Sequence, residues 1–294
     1  MGTLIKLVLC DIDGTLLPFG HTSISTRTMS AIAELRDAGI EFGPASGREP
    51  VDLRSFFHGH ASCYATGIMA NGKMINVDGK RVKDISVDHA GIVRLVEYAR
   101  SHDGCVVVYV PSVDENGIKT VDRQVIGVTE AEFERAVAQY EIAFDAHVTS
   151  EVPDAPIATV GYMHFGAASE MGALRDELSA LCPQFDFVRP SPTFFDVLPH
   201  GWTKASALPI LEEYLGIARE EVVFFGDSEN DLAMMRAVPN SFAVSNGTDS
   251  ARATARYHIG DAADDSVAKV LESLARNHGR LSIPEDALPR APRA

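Results

Sequence analysis

Leu4-Ile5-Lys6-Leu7-Val8-Leu9-Cys10 is a nearly unbroken aliphatic run that stops at Asp11-Ile12-Asp13-Gly14-Thr15-Leu16. Such a run reads as a strand buried on both faces, and it ends on two carboxylates one residue apart. Like charges that close repel, and burying either one costs more unless a cation lies between them. The pair therefore asks for a metal ion. Gly14 and Thr15 supply a tight turn with free backbone N–H groups and a hydroxyl, which can cradle an anion. A carboxylate pair, a cation and an anion cradle are the parts of a phosphoryl-transfer site. Asp-x-Asp-Gly also ends ordinary strands, because Asp and Gly form turns, so the reading depends on what the rest of the chain adds.

A second short strand, 40–44, runs into Ala45-Ser46-Gly47-Arg48, and 49–57 then reads as a helix. A hydroxyl, a glycine N–H and a helix N-terminus brought together bind anions, although Ser-Gly is also loop punctuation. Between the two strands lies a helix over 25–38, capped by Ser25 or Thr26 and ended by Gly39. A third apolar segment spans 63–68. Asn71-Gly72 follows, and Asp78-Gly79 between the runs 73–76 and 81–85 marks a hairpin. This order predicts a parallel α/β sheet with an antiparallel addition.

From about Ser86 the pattern changes. Helices over 88–102, 129–140 and 167–181 are interspersed with strands over 105–110, 157–165, 185–188 and 193–198, and Asn116-Gly117 is a turn. No strand in this stretch ends on carboxylates or a phosphate loop, so it reads as an inserted α+β domain. His200-Gly201-Trp202-Thr203-Lys204 then opens a helix over 203–215 that Gly216 stops. The buried strand Val222-Val223-Phe224-Phe225 ends in Gly226-Asp227-Ser228-Glu229-Asn230-Asp231, with a helix after it. An apolar strand again runs into carboxylates. In open parallel sheets the C-terminal strand ends form one crevice, so Asp11, Asp13, Ser46 and Asp227 are expected to meet there, with Lys204 in reach. Strands at 242–244 and 257–259 and a helix over 264–275 complete the chain, and the Pro- and Arg-containing stretch from Asn277 reads as a frayed tail.

Taken together, Asp11-x-Asp13-Gly14-Thr15, Ser46-Gly47-Arg48, Lys204 and Gly226-Asp227-x-x-Asn230-Asp231 resemble the four ordered motifs of the haloacid-dehalogenase-like (HAD) phosphatases. The insertion between the Ser46 and Lys204 motifs resembles the class with an α/β type-IIB cap. Asn71-Gly72, Lys204-Ala205-x-x-Leu208 and Asp231-x-x-Met234 resemble its Cof-type branch, which acts on sugar phosphates. The resemblance implies a doubly wound, mainly parallel, Rossmann-like α/β core from 1–85 and 196–276, an inserted cap from 86–195 and a flexible tail from 277–294. It also implies a mechanism. Asp11 would attack phosphorus to form an aspartyl-phosphate, and Asp13 would be the general acid and base. Mg2+ would be held by the Asp11 side chain, the Asp13 carbonyl and Asp227. Ser46 and Lys204 would hold the phosphoryl oxygens, with Asp231 supporting the site from behind. Thr15, Gly47, Arg48, Asn71 and Asn230 would touch phosphate or substrate. Two positions depart from the branch: Pro44-Ala45 before Ser46, and Ser266, where Gly is usual. The Ser266 change is expected to alter only a peripheral turn.

Composition narrows the partners. The 294 residues are 46% hydrophobic, enough for one large core or two modest ones, and carry a net charge of −15. Such acidity argues against nucleic acid and anionic membrane as partners, but a local pocket can still take a small phosphorylated metabolite. Cys10, Cys63, Cys105 and Cys182 form no Cys-x-x-Cys pair and read as buried free thiols. No apolar run approaches the ~20 residues of a membrane span and no signal sequence opens the chain, so a cytoplasmic monomer or homodimer is expected. Two other activities fit the same motifs: a phosphomutase, passing the phosphoryl group to sugar instead of water, and a non-catalytic phosphometabolite-binding regulator. The presence of both Asp11 and Asp13 disfavours the regulator, and Asp13 disfavours a dehalogenase.

Overall fold

A computed structural model describes residues 3–115, 119–140, 145–282 and 288–289. The chain forms two compact units, Met1–Asp84 with Thr203–Ala294, and Ile85–Trp202.

The first unit is built on a six-stranded sheet. From one edge to the other its strands are Leu288–Pro289, Tyr257–Ile259, Asn240–Val244, Val222–Gly226, Leu7–Cys10 and Glu41–Pro44. All neighbours are parallel except the short edge strand Leu288–Pro289. The chain enters in Leu7–Cys10, steps outward to Glu41–Pro44 and later returns on the other side of its first strand through Val222–Gly226. That reversal is the topological switch point where open α/β sheets place their ligand crevice. Side chains alternate across a strand: Leu7 and Leu9 share a buried cluster with Leu208, Leu211, Phe224, Met234 and Met235, so Val8 and Cys10 point to the opposite face. The helices Thr26–Asp37 and Ser266–Arg276 are tied by a two-pronged Arg27–Glu272 contact at 2.7 and 3.0 Å.

The expected local signals operate here. Ser25 accepts from the Thr28 N–H as the cap of its helix, and Gly216 ends helix Leu208–Leu215 in the left-handed conformation. The hairpin is present as Met74–Val77 and Lys80–Asp84, with Asp78 and Gly79 both at positive φ as a two-residue turn requires. The third strand is shorter than its apolar run. Ala61–Cys63 is a 3-10 turn and the strand is Gly67–Met69. Gly67 sits where a Cβ would lie 2.6 Å from Pro44 O, and Gly43 where one would lie 2.0 Å from Thr66 O. Two glycines thus let this strand approach the sheet edge, and the Ser46 N–H is donated to Ile68 O at 2.8 Å. The helix expected over 203–215 begins as a 3-10 turn, Lys204–Ala207, in which Ala205 O accepts from the Leu208 N–H, since Pro209 has no N–H to give it. Asn277 does not open a frayed end: His278 and Gly279 turn the chain back, and Gly279 O accepts from the Ile5 N–H at 2.8 Å. The rest of the expected tail, 283–287 and 290–294, lies outside the described residues, as does the Asn116-Gly117 turn. Among the described residues, no helix is long and apolar enough to cross a membrane.

The second unit is a mainly antiparallel six-stranded sheet, ordered Phe185–Ser191, Phe194–Pro199, Thr159–His164, Gly104–Val113, Lys119–Ile126 and His147–Thr149. Val106 and Val108 face a core with Ile92, Leu95, Tyr162 and Leu178, while Cys105 and Val107 face Phe133 on the other side. Both faces of the central strand are therefore covered, which explains its unbroken β-branched run. Phe194–Pro199 pairs with Thr159–His164 and Phe185–Ser191, and Phe195 and Val197 lie in this core. The boundary thus falls after Trp202, not at the expected 195/196, because a strand cannot leave the sheet that buries it.

Leu9→Ala removes a fully buried side chain and is expected to cost about 2–5 kcal/mol. Tyr214→Ala, at a residue 59% exposed, is expected to change stability by no more than about 0.5 kcal/mol. Urea titration followed by far-ultraviolet circular dichroism checks both.

Candidate active site

Register decides which side chains meet. Cys10 lies opposite Phe225 on one side and Pro44 on the other, so the chain leaves three adjacent strands at one level. The Asp11 N–H is donated to Phe225 O at 2.9 Å and the Ala45 N–H to Cys10 O at 2.8 Å. Asp11 and Asp227 thus emerge side by side although 216 positions separate them in sequence.

Lys204 completes this centre from the first residue of its 3-10 turn, whose start is fixed by the Thr203 N–H donated to Ser206 Oγ at 3.0 Å. Its Nζ donates to Asp11 Oδ1 at 2.6 Å and to Asp231 Oδ1 at 2.7 Å, and all three groups are buried. The other Asp231 oxygen accepts from the Asp227 and Ser228 N–H groups at 3.0 and 3.2 Å. Gly226 makes room for that carboxylate, since a Cβ there would lie 2.6 Å from Asp231 Cγ. Thr15 Oγ1 donates to Asp227 Oδ1 at 3.2 Å. Gly14, at φ +82°, brings the backbone so close that a Cβ would lie 2.7 Å from Asp227 Oδ2.

One oxygen each of Asp11, Asp227 and Asp231 lie within 4.8 Å of one another. Three carboxylates against the single ammonium of Lys204 leave two negative charges, and oxygen donors of this kind suit a hard divalent cation. Both oxygens of Asp231 are committed to N–H donors and to the Lys204 ammonium, whereas Asp11 accepts from Lys204 through Oδ1 and Asp227 from Thr15 through Oδ1. Asp11 and Asp227 therefore fit a cation, while Asp231 is bonded to Lys204 through one oxygen and to two backbone N–H groups through the other. Burial pushes the Asp11 carboxyl well above its ordinary range; Lys204 opposes that, while Asp231 and Asp227 add to it. Burial, reinforced by Asp231, pushes Asp227 up to about 7. For Lys204 burial pulls downward, but Asp11 and Asp231 together outweigh it and hold the amine above its ordinary value.

Asp13 stands apart from this buried set. Its side chain is 39% exposed and is held two-pronged by Arg48 at 2.8 and 2.9 Å. Ser46 Oγ accepts from the Arg48 N–H at 3.2 Å, and Ser46 O accepts from the Asn71 N–H at 3.0 Å. Asn71 Oδ1 accepts from Asn230 Nδ2 at 3.2 Å, and a Cβ on Gly47 would lie 3.1 Å from Asn71 Nδ2. Ser46, Gly47, Arg48, Asn71 and Asn230 thus form one connected group. His200 lies in the second unit, exposed and paired with Asp186 at 2.8 Å. Two residues are added. Lys73 is almost fully buried beside the left-handed turn Ala70-Asn71. Asn246 donates through Nδ2 to Gly14 O at 2.7 Å. In the sequence Lys73 looks like a polar hairpin residue and Asn246 like loop punctuation.

A model of the haloacid dehalogenase-like hydrolases matches residues 8–271. The 5-amino-6-(5-phospho-D-ribitylamino)uracil phosphatase YbjI of Escherichia coli K12 is 27% identical over 282 residues, spanning 93% of this chain and 97% of its own. The HMP-PP phosphatase of Shigella boydii serotype 4 is 26% identical over 253 residues, spanning 84% of this chain and 91% of its own. Among solved structures, the HAD subclass IIB sugar phosphatase BT4131 shares the fold with a TM-score of 0.73 at 20% identity, over 91% of this chain and 98% of its own.

A cation at Asp11 and Asp227 competes with protons for carboxyls that burial pushes upward. Divalent-cation affinity is therefore expected to fall as pH drops below about 7, approaching tenfold per pH unit for each proton displaced. The raised carboxyl bears oppositely on the cation-free fold, which loses this contribution as pH rises from the ordinary Asp range through about 7. Calorimetric Mg2+ titrations at pH 5.5, 6.5 and 7.5 check the first expectation, since equal affinities at all three would exclude proton displacement.

Proposed function

The chain belongs to the haloacid dehalogenase-like hydrolases, and from that premise we propose that Asp11, Asp13, Lys204 and Asp227 remove phosphate from a small phosphorylated metabolite, a sugar phosphate or a compound of similar size. The observation that carries this reading is the buried Asp11–Lys204–Asp231 group beside Asp227 at the switch point of the sheet. The curated relatives differ in their named substrates at nearly the same identity, so identity supports phosphate removal more strongly than any one leaving group.

The two carboxylates of the opening motif divide the chemistry. Lys204 holds the Asp11 carboxylate through Oδ1, and that carboxylate attacks phosphorus. The new bond is Asp11 O–P, and the bond that breaks joins phosphorus to the ester oxygen. Asp13, half-exposed, gives its proton to that leaving oxygen. Arg48, bound to Asp13 through two nitrogens, aims the carboxyl and can exchange it for phosphoryl oxygen when substrate enters. Water then loses a proton to Asp13 and adds to phosphorus, the Asp11 O–P bond breaks, and inorganic phosphate leaves with both carboxyls restored. Mg2+ on Asp11, Asp227 and the Asp13 carbonyl would keep the buried carboxylates ionised and offset the phosphoryl charge. Lys204 contributes a second fixed positive charge, and Ser46, Asn71 and Asn230 contribute donors, while the Thr15 hydroxyl holds Asp227.

Phosphate release from a panel of phosphomonoesters, with Mg2+ and with EDTA, tests the reading. Asp11→Asn is expected to reduce release by on the order of 10^4-fold or more, because no nucleophile remains. Asp13→Asn is expected to cost about 10^2–10^4-fold. A wild-type protein inactive across the panel, or an Asp11→Asn variant with full activity, would refute it.

A further inference from the structure

Asn246 lies outside every motif of the candidate site, yet its amide joins three loops at the C-terminal ends of the sheet. Nδ2 donates to Gly14 O at 2.7 Å, and Oδ1 accepts from the Ala262 N–H at 2.9 Å. Gly14 belongs to the turn after Leu7–Cys10, Asn246 follows strand Asn240–Val244, and Ala262 follows strand Tyr257–Ile259. Both partners are main-chain groups of fixed polarity, a carbonyl and an N–H. The orientation of the amide is therefore set by its surroundings, and only a side chain with a donor and an acceptor on one carbon satisfies both.

The same loop also grips Asp227. Asp227 O accepts from the Thr248 N–H at 2.8 Å and from Thr248 Oγ1 at 3.2 Å. Gly247 passes so close that a Cβ would lie 2.9 Å from that oxygen. Residues 246–248 thus hold the Gly14 carbonyl with one hand and the Asp227 carbonyl with the other. Gly14 and the Asp227 carboxylate are in turn almost in contact, since a Cβ on Gly14 would meet Oδ2 at 2.7 Å. A shift of the Gly14 peptide changes the space at this Asp227 oxygen.

We propose that Asn246 is a positioning residue for the divalent-cation site: by tying Gly14 to the Asn246–Thr248 loop, it sets the distance between the Asp11–Thr15 turn and Asp227. The proposal rests on the cation reading given above. It assigns Asn246 no contact with substrate or cation. Its effect is to hold two carboxylate-bearing backbones at one spacing before the cation arrives, so that binding does not have to order them.

Calorimetric titration of the full chain with Mg2+ alone, without substrate, tests this. Asn246→Ala is expected to weaken Mg2+ binding by about 10- to 100-fold, the usual cost of losing a partner that orients a metal ligand. It should also raise the Mg2+ concentration for half-maximal phosphate release by a similar factor, with kcat near wild type once Mg2+ is saturating. Ala262→Pro gives a second route that leaves Asn246, Gly14 and Asp227 unsubstituted. It removes the N–H that Oδ1 accepts and puts the ring Cδ in its place, which drives the Asn246 amide away, and Asp261 already has the extended backbone (ψ 147°) that precedes proline. It is expected to shift Mg2+ affinity in the same direction by about threefold to tenfold, and it carries the test if Asn246→Ala does not fold. Folded variants that bind Mg2+ within twofold of wild type would overturn the proposal, as would a fall in kcat at unchanged Mg2+ affinity. A wild-type chain that binds no Mg2+ would overturn it together with the cation reading, whereas wild-type binding with unaffected variants would remove only the role of Asn246.

Discussion

The ammonium of Lys204, buried between Asp11 and Asp231, is the constraint on which the rest of the site depends. Removing three charged groups from water is unfavourable unless each finds its partner at close range. Here each does, but the account does not balance to zero. With Asp227 included, the buried charges sum to a deficit of two positive charges. Burial, with the neighbouring carboxylates adding to it, pushes the Asp11 and Asp227 carboxyls above their ordinary range. A group of charges kept in this state is poor as a device for stability, since apolar side chains of the same volume would pack there at lower cost. Its value lies in holding charge where a cation and a phosphoryl group can use it.

Sheet topology is what makes the arrangement possible. The reversal between Leu7–Cys10 and Val222–Gly226 leaves no crossover covering the strand ends, and parallel register sends both strands out at the same level. The sheet then needs small residues wherever backbone must approach backbone or carboxylate. Gly43 and Gly67 let the Gly67–Met69 strand close on the sheet edge and fix Ser46, and Gly226 admits the Asp231 carboxylate over the strand end. These glycines do no chemistry, but without them the donors of the second and fourth motifs would stand too far from the first.

How much of this the sequence discloses depends on the range of the physics involved. The aliphatic runs before Asp11 and Asp227, the Ser25 and Asp88 caps and the Asp78-Gly79 turn are local, and each forms as its neighbours dictate. The pairing of Asp11 with Lys204 was accessible because the strand-end rule converts a spacing of 193 residues into proximity. What stayed hidden has no local signature. Phe194–Pro199 alternates like any half-buried strand, and nothing in its own residues says which sheet it joins. Asn246 reads as loop punctuation because its partner lies 232 positions away. The tail composition around Asn277 predicts fraying, yet Gly279 pairs with Ile5 at the other end of the chain. Ser266, expected to alter only a peripheral turn, is buried in a tight place where a Cβ on Gly260 would lie 2.6 Å from its hydroxyl.

The separation of Asp11 from Asp13 follows from the same geometry. A strand alternates its side chains, but the turn at Gly14 interrupts it, and the Gly14 N–H closes onto Leu17 O at 2.8 Å. Asp11 therefore stays under the strand end, buried and tied to Lys204, while Asp13 is carried outward to Arg48. One environment is dry and supplies a cation from behind. The other is open to solvent. Two carboxyls of identical chemistry, with one residue between them, thus sit in different environments through placement alone, and the roles proposed for them rest on that difference. The proposed nucleophile must keep its lone pair directed at one point, and burial with Lys204 serves that. A proton carrier must meet first a leaving group and then a water, and partial exposure allows it. The Gly14 turn, gripped by Asn246 from across the sheet, keeps those two environments from merging.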